Sequence, residues 1–474
     1  MSKNNQLILI VSLLFLIVNV IVAYEYQNEL DIKLCENGGI EFSGSCICPY
    51  SYSGNKCEIN STEICSTVKD GDADLGNFCC WNKYRASINA KAQALGNNAI
   101  VNESEQHSKL ESLLKVYGPW SKNDILYFNY LFKKNSDTGK YSLKYLNLEY
   151  NVPNDNRLKP LAFVLMIHNV DIESIDTLFK ILYKPYHYFV IHIDSNYNNA
   201  SQIELLEQYF ENVQAESKKS DSKYKDYPSN IHVLKRSYYG LWGGISLVYI
   251  ELSSYTVLFD MVKERINKIG SNENSQWSHV INLSANDFPT ISLAKLQEFL
   301  TQNQNTSYLA DCCIINTFRF NYTFYEKFPK KYDMVSTNIF LENDCGREGS
   351  YQYVDICQYG TQWHILNHKY AHYLIGDMKA VEVLLSLKFF WVPDETFFQA
   401  SKRYYPLPIG HKFEVDVRRT TMWSTNSDAH DSSRFAVSLA DVEKLSGREF
   451  FVRKVYPHQK DVKEAIIKKF HTIE

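Results

Sequence analysis

The chain has 474 residues, 45% of them apolar and 22% charged, the balance of a globular protein with room for about two to four domains. A formal net charge of −4 leaves no basic footprint, which argues against a nucleic-acid partner. The 34 tyrosines and 26 phenylalanines suit sugar rings, but they suit ordinary core packing equally well.

The first feature along the chain is "LILIVSLLFLIVNVIVA", residues 7–23, apolar except for Ser12 and Asn19 and preceded by the single charge of Lys3. Its length reaches the lower limit for a membrane span, and the pattern is a secretory-pathway address. We expect residues 1–23 to be a cytoplasmic tail and uncleaved signal anchor, with Lys3 on the cytoplasmic side. Ile21 and Ala23 also resemble a small-residue cleavage site, so a removed signal peptide is the alternative. Either way the remainder is lumenal or extracellular. Six Asn-x-Ser/Thr sequons, at Asn60, Asn102, Asn199, Asn282, Asn305 and Asn321, fit that compartment. Asn282 falls in an apolar run read as a buried strand, where no glycan is expected.

Residues 24–60 form a stem containing "CENGGIEFSGSCICPYSYSGNKCE". This stretch resembles an EGF-like module in its C-x-C-x8-C ending and Asn-Gly-Gly, but holds four cysteines where that family has six. The family's first and third cysteines bond each other, and both positions lack cysteine here. The resemblance therefore implies Cys35 with Cys46 and Cys48 with Cys57, two bridges stapling a small spacer. Seven further cysteines, an odd number, imply a free thiol or an intermolecular bond. Their spacing suggests disulfides rather than zinc. "DGDAD" at 70–74 lacks the glutamate of a calcium loop and reads as a solvated linker. Residues 61–157 read as a mainly helical pre-domain packed against the larger carboxyl-terminal domain. There "SKLESLLKVYG" predicts a helix and "NDILYFNYLF" is undecided.

From Leu161 short apolar runs alternate with helical periodicity. "LAFVLMI" (161–167) and "YFVIHI" (188–193) predict buried strands, and between them Ile172, Ile175, Leu178, Phe179 and Leu182 share one helical face. Residues 231–234 and 279–283 predict two more strands. Residues 245–262 predict a helix, and "ISLAKLQEFL" after Pro289 another. Strands alternating with helices give an α/β fold with a mostly parallel central sheet, whose ligands bind at the carboxyl ends of its strands. Asp194 in "HIDSN" and the cluster Ser284–Asp287 in "NLSANDFP" fall there. No Gly-x-Gly-x-x-Gly and no Gly-Lys-Ser/Thr loop is present, which excludes the common dinucleotide and P-loop sites.

Seven blocks, "LAFVLMIHN", "YKPYHYFVIHIDS", "GLWGGISLVY", "WSHVINLSANDFP", "GTQWHILNHKYAHYL", "WVPDETFFQ" and "REFFVRK", stand between residues 161 and 457 in an order that resembles the core-2/I-branching and peptide O-xylosyltransferase family of glycosyltransferases. The resemblance implies a GT-A-type catalytic domain over 158–474. It also implies a UDP-sugar donor, a glycan or glycoprotein acceptor, inversion at the anomeric carbon and no metal. The implied location is the Golgi membrane, single-pass type II, with secretion after cleavage as the alternative. Glu395 matches the family's proposed general base, and Asp394 beside it is a positioning residue. Without the resemblance, both acids read as a surface helix start after Pro393.

Displacing a nucleoside diphosphate needs positive charge on the departing phosphates. Arg453 and Lys454 match the basic pair that supplies it, and Asn286 with Asp287 offers one acid too few for a divalent ion. Asp194 matches a uridine-binding position. Trp242, with Gly243 and Gly244, reads equally as an element that lets backbone approach the donor and as core packing, and Gln362 and Trp363 complete the substrate-binding set. Gln362 stands where xylosyltransferases carry an aspartate, which ranks N-acetylglucosaminyl transfer above xylosyl transfer. A catalytically inactive glycan-binding membrane protein is the alternative of another class.

Overall fold

The structure, a computed structural model, describes residues 33–36, 39–42, 45–47, 52–53, 55–57, 59–60, 102–118, 120–146, 157–169, 171–195, 200–234, 238–270, 275–310, 322–327, 331–336, 358–422 and 436–471. The apolar run 7–23, the linker 70–74, Cys48 and the seven cysteines beyond the stem lie outside these residues. Among the described residues no helix is long and apolar enough to cross a membrane. They fall into two compact units, divided between Ser142 and Leu143.

In the first unit, β1 (Lys33–Leu34), β2 (Ile40–Phe42) and β3 (Ser45–Ile47) make an antiparallel sheet. A disulfide joins Cys35 to Cys46, and Cys57 is disulfide-bonded as well. Gly39 passes so close to the Cys57 sulfur that a Cβ has no room there. β4 (Tyr52–Ser53) and β5 (Ile59–Asn60) form a further antiparallel pair. Helix α1 (Glu103–Val116) starts at Asn102, whose side chain accepts from the Glu105 N–H at 2.8 Å. The undecided stretch 123–132 falls in α2 (Lys122–Leu131), which Ser121 and Asp124 begin as a capping box. A two-stranded sheet of β6 (Phe132–Lys134) and β7 (Tyr141–Leu143) comes next. Phe42 stacks on His107 and Tyr141 at 4.9 and 4.7 Å, so the stem strands and the helices share one core.

The second unit is built on β8 (Leu161–Ile167) and β9 (Tyr188–Ile193), every residue of which is buried. That is the signature of strands covered on both faces. With β10 (Ile231–Val233), β11 (His279–Ser284), β13 (Thr306–Leu309), β16 (His364–Asn367) and β17 (Lys412–Glu414) they form a seven-stranded sheet of order β10-β9-β8-β11-β16-β13-β17. All neighbours are parallel except at β16, which runs opposite to β11 and β13. One face packs on α3 (Ile172–Leu182), α4 (Ala200–Ser220) and α6 (Leu293–Gln302) through Phe163, Leu165, Phe189 and Ile281. The 24-residue α5 (Ser246–Ile269) lies against β8 and β9 from the other side. It ends at Gly270, whose φ of 78° is open to glycine at no steric cost.

The remaining elements complete this unit. β14 (Tyr322–Lys327) and β15 (Lys331–Ser336) pair antiparallel. Helices α7 (His368–Gly376), α8 (Met378–Ser386) and α9 (Phe397–Lys402) come after β16. A small sheet places β19 (Phe451–Arg453) between β12 (Phe288–Pro289) and β18 (Arg419–Thr421), over a satellite core shared with α10 (Leu439–Lys444) and α11 (Lys460–Phe470). This mixed α/β architecture fits a GT-A-like domain.

Candidate active site

Parallel strands β8, β9 and β11 release the chain at one edge of the sheet, where His168, Asp194 and Ser284–Asp287 stand. Because β16 is antiparallel to β11, its beginning arrives at the same edge, carrying Gln362, Trp363 and His364. Asn282 fastens that approach, its amide donating to the Gln362 carbonyl at 2.8 Å and accepting from the His364 N–H at 3.0 Å. The parallel pair β18 and β19 then brings Arg419 and Arg453 alongside.

Asp287 organises these cations. Its Oδ2 accepts from the Ser284 N–H at 2.7 Å and the Ser284 hydroxyl at 2.6 Å, and its carboxylate lies 3.4 Å from Arg419 Nη1 and 3.8 Å from Arg453 Nη1. Both guanidinium groups lie over the Trp363 ring, Arg453 at 3.8 Å and Arg419 at 4.8 Å. Arg419 also donates from Nη2 to the Asn282 carbonyl at 2.7 Å.

The cluster holds more positive charge than the one carboxylate balances. Burial pulls Arg419 down to about 10, Asp287 opposes that pull, and Arg453 adds to it. Arg453 is lowered by burial against the pull of Asp287; Lys454 is lowered by burial and then by Arg453. His168 is lowered by the protein around it and then by Lys454, while Asp194 works the other way, so these side chains feel one another's charge. Nε and Nη1 of both Arg419 and Arg453 are buried without a hydrogen-bond partner among the described residues. Unmatched buried donors in a cationic recess are what an anionic ligand satisfies.

Asp194 is 7% exposed, and its Oδ2 accepts from the Gly240 N–H at 3.0 Å. A Cβ on Gly240 would stand 2.6 Å from that oxygen, so only glycine lets the backbone come this close. The same loop carries Trp242, 68% exposed, with its ring edge-on to Trp391 at 5.9 Å. Gly243, at φ 83°, leaves the space that Trp391 fills; a Cβ there would stand 2.9 Å from the indole. The missing side chain of Gly243 thus admits a neighbouring tryptophan.

Val392 comes after Trp391 in the left-handed region at φ 57°, an uncommon conformation for a β-branched residue, with its N–H donating to the Gly243 carbonyl at 2.9 Å. Pro393–Glu395 then form a single 3₁₀ turn. Asp394 is 4% exposed, Glu395 is half-buried, and the Glu395 carbonyl accepts from the Gly360 N–H at 2.8 Å. These acids do not stand on a solvated helix start, since α9 begins only at Phe397 and both Phe397 and Phe398 are fully buried.

Backbone bonds, one side-chain bond and ring contacts link these segments. Asp194 is tied to Gly240, Gly243 to Val392, Glu395 to Gly360, and Trp363 lies against Arg419 and Arg453. Arg453 meets both Asp287 and Trp363. Gln362 is fixed here through its backbone carbonyl. Sequence reading missed Arg419, whose only mark was an Arg-Arg pair in the polar run "VRRTTMW". It also missed Trp391, which stood in view beside the proline-acid motif.

Cations, an aromatic ring and a carboxylate gathered at the strand ends of a mostly parallel sheet stand where α/β proteins bind their ligands. The family described as Core-2/I-Branching enzyme matches residues 161–446, more than half of the chain, and the protein belongs to that family. Similar proteins include xylosyltransferase sqv-6 of Caenorhabditis elegans, 27% identical over 164 residues covering 34% of this chain and 17% of that protein. Xylosyltransferase 1 of Rattus norvegicus is 26% identical over 261 residues, 53% of this chain and 26% of its own length. Xylosyltransferase 2 of Canis lupus familiaris is 24% identical over 244 residues, 50% and 24% respectively. The matched region spans about a quarter or less of each of these relatives. The family match ends at residue 446, before Arg453 and Lys454.

Proposed function

We propose that the protein is an inverting glycosyltransferase that moves a sugar from a UDP-sugar to a hydroxyl of a glycan or glycoprotein in the secretory pathway, without a metal ion. The observation that carries this reading is the pair of buried guanidinium groups, Arg419 and Arg453, with unmatched donors beside Trp363. They and Lys454 neutralise the diphosphate as it leaves, arginine by its forked donors and lysine as a point charge. Asp194 holds the uridine. Glu395 takes the proton of the acceptor hydroxyl as it attacks the anomeric carbon from the face opposite the leaving UDP, with Asp394 and the Val392 turn setting its position. The carboxylate of Asp287, already held by Ser284 and two arginines, serves as their counter-ion rather than as a metal ligand. The Cys35–Cys46 disulfide supports an oxidising compartment. A lumenal domain on an N-terminal Golgi anchor is the proposed setting.

N-acetylglucosamine is the proposed donor sugar, because Gln362 offers a neutral amide where an aspartate is expected for xylose. Xylosyl transfer is the second reading, and the names of the similar proteins favour it. UDP release measured with UDP-N-acetylglucosamine and with UDP-xylose separates the two. Glu395→Gln is expected to lower kcat by about 100-fold or more with UDP affinity kept. Equal turnover in wild type and variant removes the base assignment. Activity is expected to survive a chelator; loss restored by manganese contradicts the cationic mechanism. Binding of glycans with no turnover of any UDP-sugar would support an inactive glycan-binding protein instead.

A further inference from the structure

Beneath the cationic recess lies a buried polar network that the transfer reaction does not use directly. Glu251, on α5, is fully buried. Its Oε1 accepts from the Tyr255 hydroxyl at 2.5 Å and stands 2.5 Å from His364 Nε2, and its Oε2 accepts from the Asn282 amide at 3.2 Å. Tyr255 and His364 are themselves 2.9 Å apart. Burial and the Glu251 charge push the Tyr255 phenol well above its usual range, which keeps it a donor. His364 Nδ1 is buried with no hydrogen-bond partner among the described residues.

A carboxylate buried between a helix and the sheet is expensive unless several donors meet it, and three do here. What it holds is the unusual part. Asn282 is the common member: its amide binds the Gln362 carbonyl, its Oδ1 receives the His364 N–H, and its own carbonyl receives Arg419 Nη2. On the opposite side the His364 ring packs on Phe398 at 4.2 Å, three residues after Glu395. The network therefore touches both the cation-bearing and the acid-bearing side of the site.

We propose that Glu251 is a positioning residue for sugar transfer, orienting the Asn282 side chain and through it the Gln362–Trp363 approach against which Arg419 and Arg453 lie. The inference rests on the donor-site reading above. Only a carboxylate presents acceptors to Tyr255, His364 and Asn282 at once. In Glu251→Gln the amide puts a donor where one of those donors points, so the Asn282 side chain turns and releases the Gln362–Trp363 approach on which Arg419 and Arg453 lie.

The test is UDP binding by calorimetry to the full lumenal protein, for wild type, Glu251→Gln, Arg453→Ala and Tyr188→Phe. Tyr188→Phe removes a buried hydroxyl bond, 2.6 Å to the Ser275 carbonyl, at the start of β9, the end away from the site. It controls for lost stability alone. We expect UDP affinity to fall about tenfold in Glu251→Gln and to stay unchanged in Tyr188→Phe, even where thermal midpoints fall equally. Faster hydrogen exchange of the His364 amide in Glu251→Gln reads the disturbed Asn282 contact without any nucleotide. If Glu251→Gln does not fold, Glu251→Asp keeps the charge and shortens the reach, with a smaller loss of UDP affinity expected. Unchanged affinity in the Glu251 variant beside a weakened Arg453→Ala overturns this inference alone. A wild type that does not bind UDP overturns the donor reading and this inference with it.

Discussion

Arg419 shows how much one side chain changes the chemistry of the recess. Arg453 and Lys454 announce themselves as adjacent cations at the end of a strand, but Arg419 reaches the same place from a different strand. Asp287 is the anion that lets the two guanidinium groups share a wall of Trp363. If the recess holds the diphosphate as proposed, Arg419→Ala is expected to weaken UDP about tenfold in titration calorimetry, because the recess loses one of its buried positive charges. Asp287→Asn acts on stability instead. Removing the counter-ion from a buried pair leaves like charges facing each other and costs about 3–5 kcal/mol, read as a lower urea midpoint that UDP partly restores.

At the scale of elements, the acid side depends on a tight fit between two loops. Val392 holds the left-handed turn before Pro393 only because its N–H is anchored on Gly243, and Trp391 occupies the space that Gly243 leaves. Gly243→Ala places a methyl group 2.9 Å from the indole and must push the Trp391–Glu395 turn aside. A displacement of about 1 Å at a reacting group costs on the order of 100-fold in rate. We expect kcat to fall with UDP affinity intact, since the cation cluster is built on other strands. Equal loss of both would place the loop on the donor side. The strands β8 and β9 were legible in the sequence because burial on both faces writes an uninterrupted apolar run. The helix at 122–131 was not, since its aromatic pattern fits either period and its capping box was overlooked.

The sheet as a whole carries buried histidines that make its stability depend on pH. His187 Nδ1 accepts the Leu161 N–H at 3.0 Å, and His192 Nε2 accepts the Tyr238 N–H at 3.2 Å. A protonated ring nitrogen cannot accept, and burial holds both rings down to about 3. Burial likewise lowers His279 to about 4. Between those values and the ordinary 6.5 the unfolded chain binds protons that the folded protein refuses. Stability is therefore full above pH 6.5 and falls as the pH drops toward 3. A thermal midpoint that declines steadily from about pH 6.5 to about pH 4 is the expected outcome; a flat profile contradicts neutral burial.

The sequence by itself determined the alternation of strands and helices, the carboxyl-end placement of Asp194 and Asp287, and the family, because periodicity and ordered blocks are local properties of a chain. Only the tertiary structure decided that Arg419 joins Arg453 on Trp363, that Gly243 serves Trp391, and that Glu251 meets His364 and Asn282 beneath them. Those partners lie between 31 and 148 positions apart along the chain, and nothing in a linear pattern records which distant side chains a folded sheet brings within hydrogen-bonding reach.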